Sequence, residues 1–220
     1  MAEALDDLDA SPDLALGILT GAAGHFSSGM DLKAFLVTGK NPEVPGRGLG
    51  FTRTPPRKPL IAAVEGMALA GGFELALACD LIVAAEDANF GLPEVKRGLV
   101  AGSGGLLRLP QRVPLHVAMD YALTGRLMPA PVAHQWGLVS RITAKGAALD
   151  AALELAAEIA ANSPLALRLT KALIGRAGSP GAADTVWQDE LLRMVVNSDD
   201  AREGAAAFSE KRTPVWKTTR

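Results

Sequence analysis

Residues 61–105, IAAVEGMALAGGFELALACDLIVAAEDANFGLPEVKRGLVAGSGG, limit the folds open to this chain more than any other stretch. The apolar run 60–64 is short and β-branched enough to be a strand buried on both faces. Gly66 breaks it, and Ala70, Gly71 and Gly72 then lead into a second apolar run, 73–79, of helical length. A third run, 80–85, reads as another buried strand. It leaves through Asn89, Phe90, Gly91, Leu92 and Pro93 to Glu94, in a loop. Small residues at 101–105 can open a further helix. Strand, glycine turn, helix and strand in this order predict a mixed α/β body.

Two carboxylates stand out against this background. Glu74 lies in the first turn of an apolar helix, where it either complements the helix dipole or enters a site at a desolvation cost. Taken alone, Glu94 is a surface acid beside Lys96 and Arg97. Together, two carboxyls in unlike surroundings, each beside a glycine turn, suit a general acid and a general base. Gly71, at the helix start, is a candidate donor of a free N–H to a developing negative oxygen. Met30, after Ser28 and Gly29, is a candidate second donor from another loop.

The flanking segments follow simpler patterns. Residues 1–9 read as an amphipathic helix with Leu5 and Leu8 on one face, ended by Ser11 and Pro12. Residues 14–20 read as a strand, 21–29 as a loop, 30–35 as a short helix, and 38–58, rich in glycine and proline, as a mobile flap. Helices are expected at 106–109, 115–123 and 132–136, and a strand at 138–143. From 146 the texture becomes all-helical, at 147–161, 164–174, 183–196 and 199–211, with breaks at Ser163-Pro164 and at 178–181. Asp199 is the expected cap of the last helix. This divides the chain into a core, 1–145, and a helical region, 146–220.

Several function classes are excluded by composition and failed motifs. The net charge of −2 on 220 residues gives no pull toward nucleic acid or an anionic membrane. Apolar stretches are broken before they reach a membrane-spanning length, and residues 1–13 lack the features of a signal peptide. Cys79, the sole cysteine, fits a reducing, cytoplasmic setting. His25, His116 and His134 are scattered, so no metal is expected. Gly24 and Gly29 have P-loop spacing, but Met30 and Asp31 stand where Lys and Ser/Thr would hold phosphate and Mg²⁺. Ala101 spoils a nucleophile elbow around Ser103.

The run IAAVEGMALAGGFELALACDL closely resembles the signature of the enoyl-CoA hydratase/isomerase (crotonase) superfamily. FSSGMDLKAF is similar to its upstream oxyanion-loop motif, and FGLPEVKRGLVAGSGGLLRLP to the segment bearing its second acid/base residue. TGRLMPAPVAHQWGLVSRI and SDDAREGAAAFSEKRTPVWK also look like that family, so the likeness spans nearly the whole chain.

The resemblance implies a spiral of ββα units, with C-terminal helices that build a homotrimer or a dimer of trimers. It implies acyl-CoA thioester substrates and no cofactor, coenzyme A being part of the substrate. Two backbone N–H groups, on Met30 and Gly71, would stabilise a thioester enolate. The two glutamates of the family's hydratases fall on Glu74 and Glu94, which favours addition of water to a trans-2-enoyl-CoA. Gly102 would add an N–H near that water. Ser28, Asp31, Leu32 and Lys33 would bind coenzyme A, and Phe208 and Lys211 would reach a neighbouring subunit's ligand. Residues 38–58 and the neighbourhood of Leu99, Val100 and Leu115 would shape the acyl pocket. By the family pattern, a strand pair and the rest of the first helix would precede Met1. An isomerase, another enolate-forming enzyme, or a non-catalytic acyl-CoA binder remain alternatives.

Overall fold

The computed structural model describes residues 1–39, 43–176 and 182–217. In chain order the elements are α1 (Ala2–Ala10), β1 (Gly17–Thr20), α2 (Leu32–Thr38), β2 (Leu60–Val64), β3 (Met67–Leu69) and α3 (Gly71–Ala78). Then come β4 (Leu81–Ala85), β5 (Asn89–Gly91), a 3-10 helix (Pro93–Arg97), α4 (Gly105–Arg112), α5 (Leu115–Thr124), β6 (Met128–Pro129), α6 (Ala130–Gln135) and β7 (Arg141–Thr143). The chain continues through α7 (Ala148–Ala160), α8 (Pro164–Ile174), α9 (Ala182–Val196) and α10 (Asp199–Glu210).

Strands leave the chain in pairs that feed two different sheets. One sheet is all parallel, in the order β1-β2-β4-β7; the other is β3-β5-β6, with β5 and β6 antiparallel. Thus β2 and β3 lead into α3, and β4 and β5 lead through the 3-10 helix toward α4, which is the expected ββα repeat. Alternation along the parallel strands divides the core. Leu60, Ala62, Val64, Ile82 and Ala84 face one cluster with Phe73 and Leu77 of α3. Ile61, Ala63 and Val83 face the other, closed by Ala148, Ala152 and Leu155 of α7. Burial on both faces is why these strands read as continuous apolar runs.

Some sequence expectations are corrected. Residues 38–58 were expected to be a mobile flap; in their described part they form an anchored strap. Phe51 and Thr52 are 0% and 1% exposed, Val44 and Gly48 form a bridge, and Leu49 N–H donates to Thr52 Oγ1 at 3.1 Å. Glycine and proline interrupt helix and strand there without removing the buried anchor. Residues 40–42 lie outside the described residues. β1 and β7 each start three residues later than their apolar patterns, and Glu94 sits in the 3-10 helix rather than in a loop. The cap of α10 is Ser198, whose hydroxyl accepts from Ala201 N–H, and not Asp199. The expected break at 178–181 lies outside the described residues.

Among the described residues, no helix is long and apolar enough to cross a membrane. Cys79 ends α3, fully buried, its thiol donating to Leu75 carbonyl at 3.4 Å. Burial pushes that thiol up to about 12, so it is not a nucleophile at neutral pH.

Candidate active site

The loop that carries Met30 and the start of α3 are brought together by β3. Ser27 pairs with Ala68 as a one-residue parallel bridge, fixed by Ser27 N–H to Met67 O at 2.9 Å and Leu69 N–H to Ser27 O at 2.8 Å. Three residues beyond each partner lie Met30 and Gly71. The loop and the start of α3 are then in van der Waals contact. A Cβ on Gly29 would lie 3.1 Å from Gly71 N, and one on Gly72 would lie 2.3 Å from Ser27 O. Only glycine lets the two backbones approach this closely.

The direction of the Gly71 amide is set one residue earlier. Ala70 has φ 51° and ψ −127°, unusual for a residue with a Cβ. Its N–H donates to Gly91 O at 2.8 Å and its carbonyl accepts from Glu74 N–H at 3.0 Å. Such a conformation costs about 1–3 kcal/mol and persists where neighbours on both sides dictate it. As the first residue of α3, Gly71 has no intrahelical acceptor for its N–H. Among the described residues, neither Gly71 N–H nor Met30 N–H donates to a protein acceptor.

Glu74 is one helical turn further on, 3% exposed. Its Oε1 accepts from Ser103 N–H at 2.7 Å and Gly105 N–H at 2.9 Å, at the head of α4. Gly105 is close enough that a Cβ there would meet Glu74 Cγ at 2.8 Å. Burial pushes the Glu74 carboxyl above its ordinary range. The Gly105 and Ser103 amides and Arg108 pull against that, and Glu43 adds to it. Glu94 arrives from the other side. β5 runs parallel to β3, so the 3-10 helix after it starts beside the start of α3. Glu94 is half-buried, and its Oε2 is buried with no hydrogen-bond partner. Burial pushes this carboxyl upward too, its own backbone N–H opposes, and the charge of Glu74 adds.

Glu74, Glu94, Gly71 and Met30 share one cavity of about 680 Å³. Ser28, Leu32 and Gly102 also line it, as do Leu99 and Val100, whereas Leu115 does not and is exposed on α5. Asp31 caps α2, accepting from Lys33 N–H and Ala34 N–H, and neither it nor the exposed Lys33 lines the cavity. Phe208, 89% exposed, and Lys211 do not line the cavity of their own chain. Val44 and Leu49 bring residues 38–58 into the wall, as expected of that stretch, whereas sequence reasoning missed Ser103 and Gly105, which hold Glu74. Only the small residues at 101–105 hinted at these last two.

Raised carboxyl values are also statements about stability. The folded chain holds these protons more tightly than the unfolded chain does. Over the interval from the ordinary carboxylate range up to the raised values, stability therefore falls as pH rises. Glu94→Gln should raise the melting temperature at neutral pH, and the gain should vanish below the ordinary carboxylate range. Calorimetry across pH measures this, and an offset independent of pH would point to repacking instead.

The enoyl-CoA hydratase/isomerase family model matches residues 1–219. Among solved structures, an enoyl-CoA hydratase from Mycobacterium marinum is 58% identical, with TM-score 0.95 over 99% of this chain and 86% of that one. An enoyl-CoA hydratase from Mycobacterium tuberculosis is also 58% identical, with TM-score 0.94 and the same coverage. A carnitinyl-CoA dehydratase from Salmonella paratyphi A is 42% identical, over 99% of this chain and 87% of its own length.

Proposed function

Because the chain belongs to the enoyl-CoA hydratase/isomerase family, we propose that it adds water across the double bond of a trans-2-enoyl-CoA. The observation that carries this reading is the convergence of two carboxylates and two unpartnered amides on one cavity. The thioester carbonyl lies between Met30 N–H and Gly71 N–H, donors fixed before substrate arrives. Glu74, its Oε1 held by two amides, is the carboxylate better stabilised as an anion, and takes a proton from water as oxygen attacks the β-carbon. Glu94, with one oxygen unpartnered and a like charge nearby, keeps its proton and delivers it to the α-carbon. One proton is gained and one given, and the pair resets by exchange with solvent.

A dehydratase reading is motivated by the Salmonella relative. A carnitinyl thioester carries a quaternary ammonium, which favours an aromatic cage. Here the wall is mainly aliphatic, with Leu32, Val44, Leu49, Leu75 and Leu99, and Phe35 the one aromatic ring among the described lining residues. An apolar acyl chain suits it better. Loss of enoyl thioester absorbance on trans-2-enoyl-CoA substrates, beside carnitinyl-CoA, decides between the two. Double-bond migration in a 3-enoyl-CoA without uptake of labelled water would replace hydration by isomerisation, and tight binding without turnover would leave a non-catalytic binder.

The same reading includes a homotrimer, alone or paired. It is supported by apolar side chains exposed on α9 and α10, among them Val186, Leu192, Met194 and Phe208. Sedimentation equilibrium tests it, and a monomer at micromolar concentration overturns it.

A further inference from the structure

A third carboxylate reaches the site from the strap. Glu43 Oε1 accepts from Ser103 Oγ at 3.2 Å, and its Oε2 accepts from Arg53 at 2.9 Å. Ser103 is buried and faces both ways: its hydroxyl donates to Glu43 while its N–H donates to Glu74 Oε1. Arg108 ties the same turn down from behind, donating to Ser103 O at 3.4 Å and to Thr52 O on the strap. The strap therefore grips the head of α4 at two points, and the head of α4 holds Glu74. Val44 and Leu49, on the same strap, form part of the cavity wall.

From this geometry we infer that Glu43 is a positioning residue: acting through Ser103, it fixes the Glu74 carboxylate in place. The proposal depends on the hydratase reading for its catalytic meaning, though not for the contact itself. The charged groups around Glu74 come from three elements. They are Glu43 on the strap, Arg108 on α4, and Glu94 on the 3-10 helix. On α3 its neighbours are apolar. Glu43 adds negative charge, so it raises the proton affinity of Glu74, and Arg108 opposes it.

Carboxyl ¹³C NMR of protein labelled at glutamate tests this without requiring turnover. The Glu74 signal is assigned by its loss in Glu74→Gln. In Glu43→Gln the titration of Glu74 should move to lower pH, and in Arg108→Gln to higher pH. Glu43→Asp, which keeps the charge, should restore most of the original position. An unmoved Glu74 titration in a folded Glu43→Gln protein overturns the proposal. If that variant does not fold, Glu43→Ala, which removes the charge outright, serves in its place, and a loosened Glu74 in Ser103→Ala is the accompanying check. Ser103→Ala keeps the N–H on Glu74 and the charge on Glu43 but parts the two, and a smaller downward movement is expected. In an active enzyme kcat should fall about ten- to a hundredfold in Glu43→Gln with little change in KM, as for a misplaced catalytic group. Absence of any turnover in the parent protein, with the NMR shifts present, would overturn the hydratase reading and leave the Glu43 contact standing.

Discussion

Glu94→Gln is expected to lower kcat for enoyl-CoA hydration by about 10²–10⁴-fold, the usual contribution of a positioned acid. Glutamine has nearly the same shape but no acidic proton to place on the α-carbon. Glu94 sits half-buried at the cavity wall with Oε2 unpartnered, so the change disturbs no existing protein contact of that oxygen. KM should therefore stay within a few-fold, as expected of a group whose proposed role is in the transition state. Steady-state kinetics on one enoyl-CoA across pH measures both quantities. A fall of less than tenfold would remove Glu94 from proton transfer.

The second large effect is expected at a residue with no chemistry of its own. In Gly72→Ala the new Cβ would meet Ser27 O at 2.3 Å, Ser27 Cβ at 2.6 Å and Ser27 C at 2.8 Å. Two of these atoms are backbone, and that backbone is pinned to β3 by hydrogen bonds on both sides of Ser27. The loop has to retreat, and the Met30 and Gly71 amides separate. Loss of one well-placed donor corresponds to about 10²–10³-fold in kcat, and overpacking should destabilise the fold by about 1–3 kcal/mol. Gly175→Ala is the contrast. Its φ is −61° and its nearest contact would be 3.4 Å, so activity and melting temperature should stay close to those of the parent. Equal behaviour of the two variants would show that close approach at Ser27 is not what holds the amides together.

The central segment was legible because its signals are local. Residues 60–64 read as a strand and are β2, and 80–85 contain β4, since burial on both faces leaves an unbroken apolar run. Glu74 and Gly71 were legible because a glycine turn before an apolar helix is a local pattern. Other features depend on contacts that sequence order hides. Ser103 is 29 residues from Glu74, and Glu43 is 60 residues from Ser103. Nothing in the alanine at position 70 announces a positive φ, which a glycine there would have suggested. The strap misled because its prolines and glycines describe the backbone, whereas Phe51, which pins it, belongs to no helical or alternating apolar pattern. At α10 two cap-competent residues, Ser198 and Asp199, stand side by side, and local chemistry does not choose between them.

The inert thiol at Cys79 has a practical use. Since the chain has one cysteine and that one is sealed inside the fold, new cysteines at exposed Pro55 and exposed Leu115 would carry fluorescent labels with no competing site. Energy transfer between the dyes would then follow the strap in real time as an acyl-CoA enters.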